Sequence, residues 1–435
     1  MWLASDAKNI LPPIAAVHNC PIITEAKSGI EVLGKGYHKK CGGRLVAGGV
    51  MPEKVGLKQA TDCLLGIVDE FEFATPADKS RAIAAILSPA LRFGGLLEAH
   101  MPLFVVEADA SQAGKGFFFE LVQGMYSETP SLVTQRQGGV GGFDESLSQA
   151  LLYGRPIIQL DNMRGHLGSA YFEAILTCPL NTAVSARVPY RGEVQVRPDR
   201  FIFQLTSNGF ECTRDLANRS CIIRIRKRHE FAFRRYPEGN LLDHIQANQG
   251  RHLGAVYSVV AQWLVRGNPS SEDLRGEGRF RKWAQAMDWI IEELFALPPL
   301  MDGHEEAQER ASNSTLNWLR QVCIAVEADA RLEEQLTASD IVDICQSHGI
   351  EPPGIPPKEP GSWLLMRVGQ IMGKTFKDRD RIEIDAFEIQ RTESVLYNEV
   401  RRRDETLRKY QITRLRSDAL RALRSHKCLG NVNIL

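Results

Sequence analysis

The stretch Pro102-Leu-Phe-Val-Val-Glu-Ala-Asp-Ala-Ser-Gln-Ala-Gly-Lys-Gly-Phe117 joins an apolar run to small residues, a Gly-Lys pair and a segment of helical character. The run from Leu103 to Val106 predicts a buried strand, which leads through a phosphate-binding loop into a helix. Small residues let backbone N–H groups approach phosphate oxygens, and Lys115 can reach the β- and γ-phosphates of a nucleotide. The predicted nucleotide-binding residues are Ser111, Gln112, Ala113, Gly114, Lys115, Gly116 and Phe117.

This loop departs from the pattern G-x-x-x-x-G-K-[ST] at two positions. Asp109 stands at the first glycine, and Gly116 replaces the serine or threonine whose hydroxyl normally binds magnesium. A Gly-Lys pair after an apolar strand is also common in an ordinary turn into a helix. A nucleotide-binding role for this loop therefore requires support from other segments of the chain.

Three further segments have the spacing that a P-loop ATPase requires. Arg155 to Asp161 predicts an apolar strand ending in a carboxylate, where a Walker B acid would contact magnesium. Arg200 to Asn208 predicts a buried strand ending in an amide, and Thr213 to Arg226 predicts a short helix followed by a strand. We expect Lys115 and Asp161 to lie at the carboxyl ends of adjacent parallel strands, facing one triphosphate.

With these segments the chain resembles AAA+ ATPases of the bacterial and phage primase-helicase type. The resemblance extends to poxvirus-type primase-helicases and, more loosely, to superfamily 3 and MCM helicases. It runs from about Pro12 through the ATPase core and its lid. The motifs that carry it are Pro21-Ile-Ile…Gly36-Tyr37, Leu160-Asp161-Asn162, Thr206-Ser-Asn208-Gly209 and Arg214-Asp-Leu-Ala-Asn-Arg219.

The resemblance implies an α/β fold, with a AAA+ P-loop ATPase core containing a parallel sheet, a helical lid and a C-terminal winged-helix-like domain. It also implies ATP and Mg²⁺ as cofactors. The expected divisions are a β-rich or irregular segment (1–52), the core (53–238), the lid (239–330), the winged-helix-like domain (331–412) and a basic tail (413–435). The arginine-rich stretch 401–427 is interpreted as a nucleic-acid-binding segment or as a solvated, partly helical end.

Candidate catalytic residues come from the same resemblance. Asp161 is the expected magnesium ligand, and Asn162 occupies the place where AAA+ proteins usually have a water-positioning glutamate. Glu145, on the preceding predicted helix, is the candidate for that role, with Asn162 assisting. An exposed acid favoured by the helix dipole explains Glu145 equally well. Asn208 fits a sensor of the γ-phosphate, because its amide both donates and accepts hydrogen bonds.

Arg219, with Arg214 as the alternative, fits an arginine finger supplied by a neighbouring subunit. Such a finger makes hydrolysis depend on assembly, so the resemblance implies a homo-oligomeric ring, expected to be a hexamer. Surface arginines on a helix are also common without any such role.

DNA contacts are expected at two places. Alternating apolar residues from 184 to 196 predict a β-hairpin, and Arg187, Tyr190 and Arg191 near its tip could grip a phosphate and stack a base. A solvated hairpin without a ligand is the alternative. A helix, helix, hairpin pattern from 337 to 389 predicts a winged-helix arrangement, with Lys374 and Lys377 positioned for the DNA backbone.

Composition narrows the class of protein. Lysines and arginines number 53 and so do aspartates and glutamates, which gives a formal net charge of zero, so DNA contact must come from local basic patches. The nine cysteines show no metal-ligand spacing and predict thiols in a reducing cytoplasm. No apolar run approaches the length needed to cross a bilayer, so no membrane partner is expected.

These observations predict an ATP-driven, ring-forming DNA helicase or translocase for replication of a phage or mobile element. Its expected partners are single-stranded or forked DNA, and a primase or initiator module. One rival interpretation is a degenerate nucleotide-binding protein with a structural or regulatory role. Another is a DNA-binding replication initiator in which ATP only controls assembly.

Overall fold

The computed structural model describes residues 14–108, 113–134, 142–188, 192–227, 234–272, 280–353, 363–384, 387–398 and 403–415. The predicted site residues Ser111, Gln112, Tyr190 and Arg191 lie outside these ranges. The chain divides into two compact units, Met1–Glu309 and Arg310–Leu435.

The first unit contains both strands and helices. Its strands are β1 Ala16–His18, β2 Ile22–Ala26, β3 Gly29–Leu33, β4 Gly36–His38, β5 Arg44–Val46, β6 Glu72–Phe73, β7 Leu103–Ala108, β8 Ser131–Val133, β9 Ile157–Met163, β10 His166–Leu167, β11 Val184–Val188, β12 Gly192–Val196, β13 Ile202–Ser207, β14 Glu211–Cys212 and β15 Ser220–Arg226. Its helices are α1 Leu57–Val68, α2 Pro76–Gly94, α3 Lys115–Met125, α4 Phe143–Tyr153, α5 Ala170–Thr177, α6 Arg214–Ala217, α7 Leu241–Ala247, α8 Gln249–Val265, α9 Arg281–Phe295 and α10 His304–Ala311.

A six-stranded sheet forms the centre of this unit, in the order β6-β15-β7-β13-β9-β8. The five strands from β15 to β8 are mutually parallel, and the short β6 pairs antiparallel with β15 at one edge. Every residue of β7 and of β13 is buried, as expected for central strands of a parallel sheet with helices on both faces. The predicted α/β class and parallel sheet are therefore confirmed.

The order of the strands corrects one expectation. β7, which precedes Lys115, and β9, which carries Asp161, are not neighbours, because β13 lies between them. The chain leaves β7 toward β8 in one direction and leaves β13 toward β15 in the other. Ligands of open α/β sheets bind beyond the carboxyl ends of the strands at such a switch point, which here lies between β7 and β13.

Helix α2 is tied to the sheet by a buried ionic cluster around Asp78. Thr75 and Asp78 form a capping box that starts the helix. The Asp78 carboxylate accepts hydrogen bonds from Arg81 Nη2 at 2.7 Å and from the backbone N–H of Arg224 on β15 at 3.1 Å. Burial alone would raise the pKa of Asp78, but Arg224 and Arg81 outweigh burial and lower it to about 2. The carboxylate therefore holds two buried guanidinium groups in place.

The second unit begins earlier than the sequence indicated. Its elements are α11 Ser314–Ala328, β16 Gln335–Leu336, α12 Ala338–Ser347, α13 Trp363–Thr375, β17 Arg381–Ile384, β18 Phe387–Asn398 and β19 Arg403–Arg414. Helix α11, which the sequence assigned to a lid ending at residue 330, contributes Trp318 and Val322 to the core of this unit. The boundary between compact units consequently falls at 309/310.

An antiparallel sheet in the order β16-β19-β18-β17 closes the second unit. The predicted hairpin around Ile382 and Ile389 is present as the β17–β18 pair. The expectation of a partly helical end is wrong for 403–414, which forms strand β19 along the whole of β18. Its Tyr410 and Ile412 have the two-residue period of a strand and are buried in the core.

Among the helices that the structure describes, none has the length and apolarity required to cross a membrane.

Glu128 gives the first unit a testable pH dependence. Its buried carboxylate accepts hydrogen bonds from the backbone N–H of Asn19 at 2.7 Å and from Asn19 Nδ2 at 3.1 Å. Burial raises the pKa of Glu128 from 4.5 to about 7, although the Asn19 hydrogen bonds oppose the change. The folded state therefore holds the Glu128 proton more tightly than the unfolded state does. The protonated carboxyl contributes stability that is fully present below pH 4.5 and is lost as the pH rises through about 7.

We expect the free energy of unfolding of Glu128→Gln, measured relative to that of the wild type, to rise by about 3 kcal/mol from pH 4.5 to pH 8. The reason is that the amide stays neutral while the wild-type carboxyl ionises. Urea unfolding at a series of pH values measures this difference. Glu120→Gln, on the exposed surface of α3, is the control. A stability difference for Glu128→Gln that does not change with pH would contradict the assignment.

Candidate functional site

Gly114 creates the turn between the predicted loop and helix α3. Its φ of 91° lies in the left-handed region, which a side chain disfavours, and its carbonyl accepts the first helical hydrogen bond from the N–H of Phe118 at 2.9 Å. Lys115 and Gly116 occupy the first helical turn, where backbone N–H groups lack helical partners. The positive end of this eleven-residue helix therefore lies beyond the carboxyl edge of β7, where an anion is favoured.

Ala113 and Phe117 flank that turn with partial exposure. Phe117 packs against Phe71, with ring centroids 6.4 Å apart, so its ring anchors α3 to the core. The structure gives it no polar role.

Lys115 meets the residue predicted as a sensor. Its Nζ donates a hydrogen bond to Oδ1 of Asn208, which directly follows β13. Burial lowers the pKa of Lys115, and the nearby Asp161 carboxylate opposes that effect. The three predicted residues thus lie together at the switch point of the sheet, and Asn208 follows β13, the strand that separates the parent strands of Lys115 and Asp161.

Thr206 lies in one of the motifs quoted above, but the sequence predicts no role for it. Its buried hydroxyl donates to Asp161 Oδ1 at 2.8 Å and accepts the backbone N–H of Asn162 at 2.7 Å. Asn162 has a φ of 50°, and its side chain is exposed. Thr206 therefore fixes the carboxylate of Asp161 and the backbone bend that comes after it. The available signal was a hydroxyl residue two positions before Asn208, near the carboxyl end of a buried strand.

Further hydrogen bonds hold the ends of these strands together. Ser207 Oγ donates to the carbonyl of Met163 at 2.8 Å, which joins the ends of β13 and β9. Glu107, buried near the end of β7, accepts the N–H of Phe210 at 3.1 Å and so positions the loop that carries Asn208. The polar groups at this edge consequently lie on rigid backbone.

Three glutamines form a buried contact beneath this edge. Gln123 Nε2 on α3 donates to Gln159 Oε1 at 2.6 Å and to Gln204 Oε1 at 2.9 Å. The cluster links the helix that begins at Lys115 to the strands that carry Asp161 and Thr206. A shift of α3 would break buried hydrogen bonds, which makes the distance between loop and strands costly to change.

The donor set fits magnesium held largely by a nucleotide. Asp161 presents an exposed carboxylate, and the hydroxyl of Thr206 and the amide oxygen of Asn208 lie nearby. Mg²⁺ prefers oxygen ligands and usually takes one or two carboxylates together with phosphate oxygens and waters. No group of three or more His, Cys, Asp or Glu side chains that could hold a metal occurs in the described part of the chain.

Glu145 lies in the first turn of α4 and is half-buried. Its neighbour Asp144 accepts a hydrogen bond from Ser169 Oγ, the cap of α5, at 2.6 Å. The helix-dipole explanation fits this position, and the water-positioning role of Glu145 stays a prediction.

Arg219 lies at the opposite edge of the sheet. Its carbonyl accepts a hydrogen bond from the N–H of Leu103, the first residue of β7. Lys115 lies beyond the other end of that strand, after the loop that follows Ala108. Six strand residues at about 3.3 Å each separate the two edges by ~20 Å. Arg219 Nη1 is paired with Asp215 on the preceding helix at 3.5 Å, and Arg214 at the start of that helix is exposed. Arg219 therefore does not reach the Lys115 site of its own chain.

The predicted DNA contacts fall in both units. Arg187 is exposed on β11, opposite Glu193 of β12, in the hairpin that the sequence predicted. Lys374 lies in the last turn of α13, and Lys377 comes shortly after it in the second unit. Their roles in binding DNA stay predictions.

Comparison with known proteins gives weak similarities. No family model matches the chain, and no curated protein matches it. The A-form apo structure of the NrS-1 C-terminal region is 11% identical with a TM-score of 0.35, covering 91% of this chain and 84% of that one. SCCmec type IV Cch, described as an active helicase, is 11% identical with a TM-score of 0.33, covering 94% and 80%. JCV helicase is 10% identical with a TM-score of 0.25, covering 59% and 71%. Similarity this weak carries no conclusion about activity.

Proposed function

We propose that the chain is an ATP-driven, ring-forming DNA helicase or translocase that serves the replication of a phage or mobile element. The observation that supports this most is the convergence of Lys115, Asn208 and Asp161 at the switch point of a parallel sheet, beside the start of a helix. That arrangement offers a cation, an amide and a carboxylate to one triphosphate.

Each residue then has a distinct task. Lys115 and the N–H groups at the start of α3 bind the β- and γ-phosphates, and the partial burial of the lysine strengthens its attraction to them. Asp161, oriented by Thr206, would hold Mg²⁺, which neutralises charge on the phosphates. Asn208 exchanges its hydrogen bond with Lys115 for one to the γ-phosphate or the attacking water, which Glu145 and Asn162 position. Gly116 provides no hydroxyl, so Asp161 and waters would hold the metal.

The position of Arg219 supports a ring. Because this arginine lies ~20 Å from Lys115 across the sheet, it can complete an active site only in a neighbouring subunit. Hydrolysis would then require assembly, and its energy could move DNA held by the hairpin residues Arg187, Tyr190 and Arg191. Lys374 and Lys377 in the winged-helix-like second unit would contact the DNA backbone.

Phosphate release by the purified chain, with and without single-stranded DNA, tests this proposal together with separation of a forked duplex. We expect turnover that DNA stimulates and strands that separate only with ATP. Nucleotide binding without turnover would instead favour a degenerate regulatory protein, for which Gly116 and Asn162 are the supporting residues. Site-specific duplex binding without strand separation would favour an initiator.

We expect Arg219→Ala to lower turnover by about a hundredfold or more while nucleotide binding persists, since an arginine finger stabilises charge that develops during transfer. Arg214→Ala, an exposed change nearby, should reduce turnover less. Mixing Arg219→Ala with Lys115→Ala should restore part of the activity, because each variant supplies the group that the other lacks. An inactive mixture of stably associated variants would contradict a finger acting in trans.

A further inference from the structure

A polar cavity lies in the first unit, near the amino ends of the strands of the central sheet. Its volume is about 330 Å³, and its lining includes Arg44, Arg92, Arg197 and Arg200. Arg92 comes from the last turn of α2, and Arg200 directly precedes Phe201 and β13. The cavity therefore lies at the edge of the sheet opposite to Lys115. The proposed ATP site does not explain the presence of these arginines.

The acids of the cavity are already engaged. Asp199 accepts from Arg197 Nε at 3.1 Å and Nη2 at 2.7 Å, and from the N–H of Asn181 at 2.8 Å. Glu98 accepts from Asn181 Nδ2 at 3.2 Å. Asp199 is thus committed to Arg197 and its neighbour Asn181, and four arginines stand against two carboxylates.

Among the described residues, the guanidinium groups of Arg44, Arg92 and Arg200 form no ion pair like that between Arg197 and Asp199. Arg44 donates to the carbonyl of Cys41, and Arg200 donates to the carbonyl of Ala15. Arg92 Nε is buried and has no hydrogen-bond partner among the described residues. His18, also lining the cavity, is buried, and its Nδ1 makes no hydrogen bond, with Glu128 Oε1 3.8 Å away. A buried donor such as Arg92 Nε normally has a partner, so the cavity lacks an acceptor at this position.

Electrostatics point to the same missing group. Burial lowers the pKa of Arg92 to about 10, with Asp199 opposing the effect. Burial also lowers the pKa of Arg200, and the charges of Arg197 and Arg44 lower it further. Burial, and then Arg44, lower the pKa of His18 to about 3, so the imidazole is neutral. Like charges held together in a partly buried cavity are costly unless an anion joins them.

Glycines make room for this arrangement. At Gly95, where φ is 65°, a β-carbon would come within 2.5 Å of Arg44 Nη2, and at Gly42 a β-carbon would lie 3.3 Å from Arg44 Nη1. A side chain at Gly95 would therefore displace the Arg44 guanidinium from its present position, and one at Gly42 would crowd it.

We propose that this cavity binds a phosphate group with at least two negative charges, as a phosphate monoester or a pyrophosphate. Arg44, Arg92 and Arg200 would donate to its oxygens, since the planar fork of arginine matches phosphate geometry. The two charges of a monoester balance the surplus of four arginines over two acids, and pyrophosphate carries more. A free phosphorylated small molecule and the 5′-phosphate end of a nucleic acid share this chemistry.

Titration calorimetry with pyrophosphate tests the site in a Lys115→Ala background, which weakens phosphate binding at the candidate ATP site. We expect one pyrophosphate site that Arg92→Gln and Arg200→Gln each weaken about tenfold or more, because each removes a charged hydrogen bond. Arg92→Lys should retain part of the affinity. Arg266→Gln, an exposed arginine outside the cavity, should leave it unchanged.

Two further arms identify the source of the phosphate. Tighter binding of a 5′-phosphorylated oligonucleotide than of its 5′-hydroxyl counterpart, lost in Arg92→Gln, would support a nucleic-acid end. Binding of pyrophosphate alone would support a small molecule. Unchanged affinity in folded Arg92→Gln and Arg200→Gln, preference for succinate over phosphate, or no pyrophosphate binding at all would overturn the proposal. Failure of the ATP site would appear separately, as a Lys115→Ala change without effect on turnover.

Discussion

Lys115→Ala is expected to reduce ATP turnover by about a hundredfold to a thousandfold, comparable to the loss of a catalytic hydrogen-bond donor. The lysine is the cation that meets Asn208 and Asp161 at the switch point of the sheet. Its removal leaves the β- and γ-phosphates with the helix N–H groups alone. Phosphate release at saturating ATP and equilibrium binding of a fluorescent nucleotide measure the two effects separately.

The control for this change is Lys58→Ala, which removes an exposed lysine that pairs with Asp62 on α1. It should leave turnover unchanged. Both variants should unfold at the same urea concentration as the wild type, since neither side chain is buried in the core. Equal ATPase activity in Lys115→Ala and the wild type would remove this loop from the mechanism.

Asp78→Ala should destabilise the first unit by about 3 to 5 kcal/mol, because it leaves two buried guanidinium groups without a counter-charge. The side chains of Asp78 and Arg81 are fully buried, and that of Arg224 is 6% exposed. The urea midpoint, followed by far-UV circular dichroism, should fall accordingly. The pKa of about 2 adds a second effect, because stability from this carboxylate is present above pH 3.8 and is lost as the pH falls through 2.

Asp62→Ala is the matched control, since it also removes one partner of an ion pair, at 3.2 Å between Lys58 and Asp62, but on an exposed helix face. It should cost less than about 1 kcal/mol. Similar losses in the two variants would show that burial of the Asp78 cluster has no special energetic weight. If a further Arg224→Met change restored stability to the Asp78→Ala variant, the unpaired-charge explanation would be supported, since an apolar side chain needs no counter-charge.

The local elements of the site were predictable from sequence because they depend on short-range patterns. The apolar run at Leu103 and the Gly-Lys pair predict β7 and the start of α3. Alternation from 184 to 196 predicts the β11–β12 hairpin. In the second unit, the arginine content of 401–427 indicates a nucleic-acid-binding segment or a partly helical end, whereas residues 403–414 form strand β19 with Tyr410 in the core.

The amino-acid sequence alone determined which polar residues follow the apolar runs of β7, β9 and β13, since periodicity and turn residues act within a few positions along the chain. Only the tertiary structure decided that β13 separates β7 from β9, that Thr206 orients Asp161, and that Arg92 and Arg200 enter one cavity. Strand order and side-chain encounters depend on contacts between segments far apart in sequence. Those contacts are set by how helices cover both faces of the sheet, which no local pattern encodes.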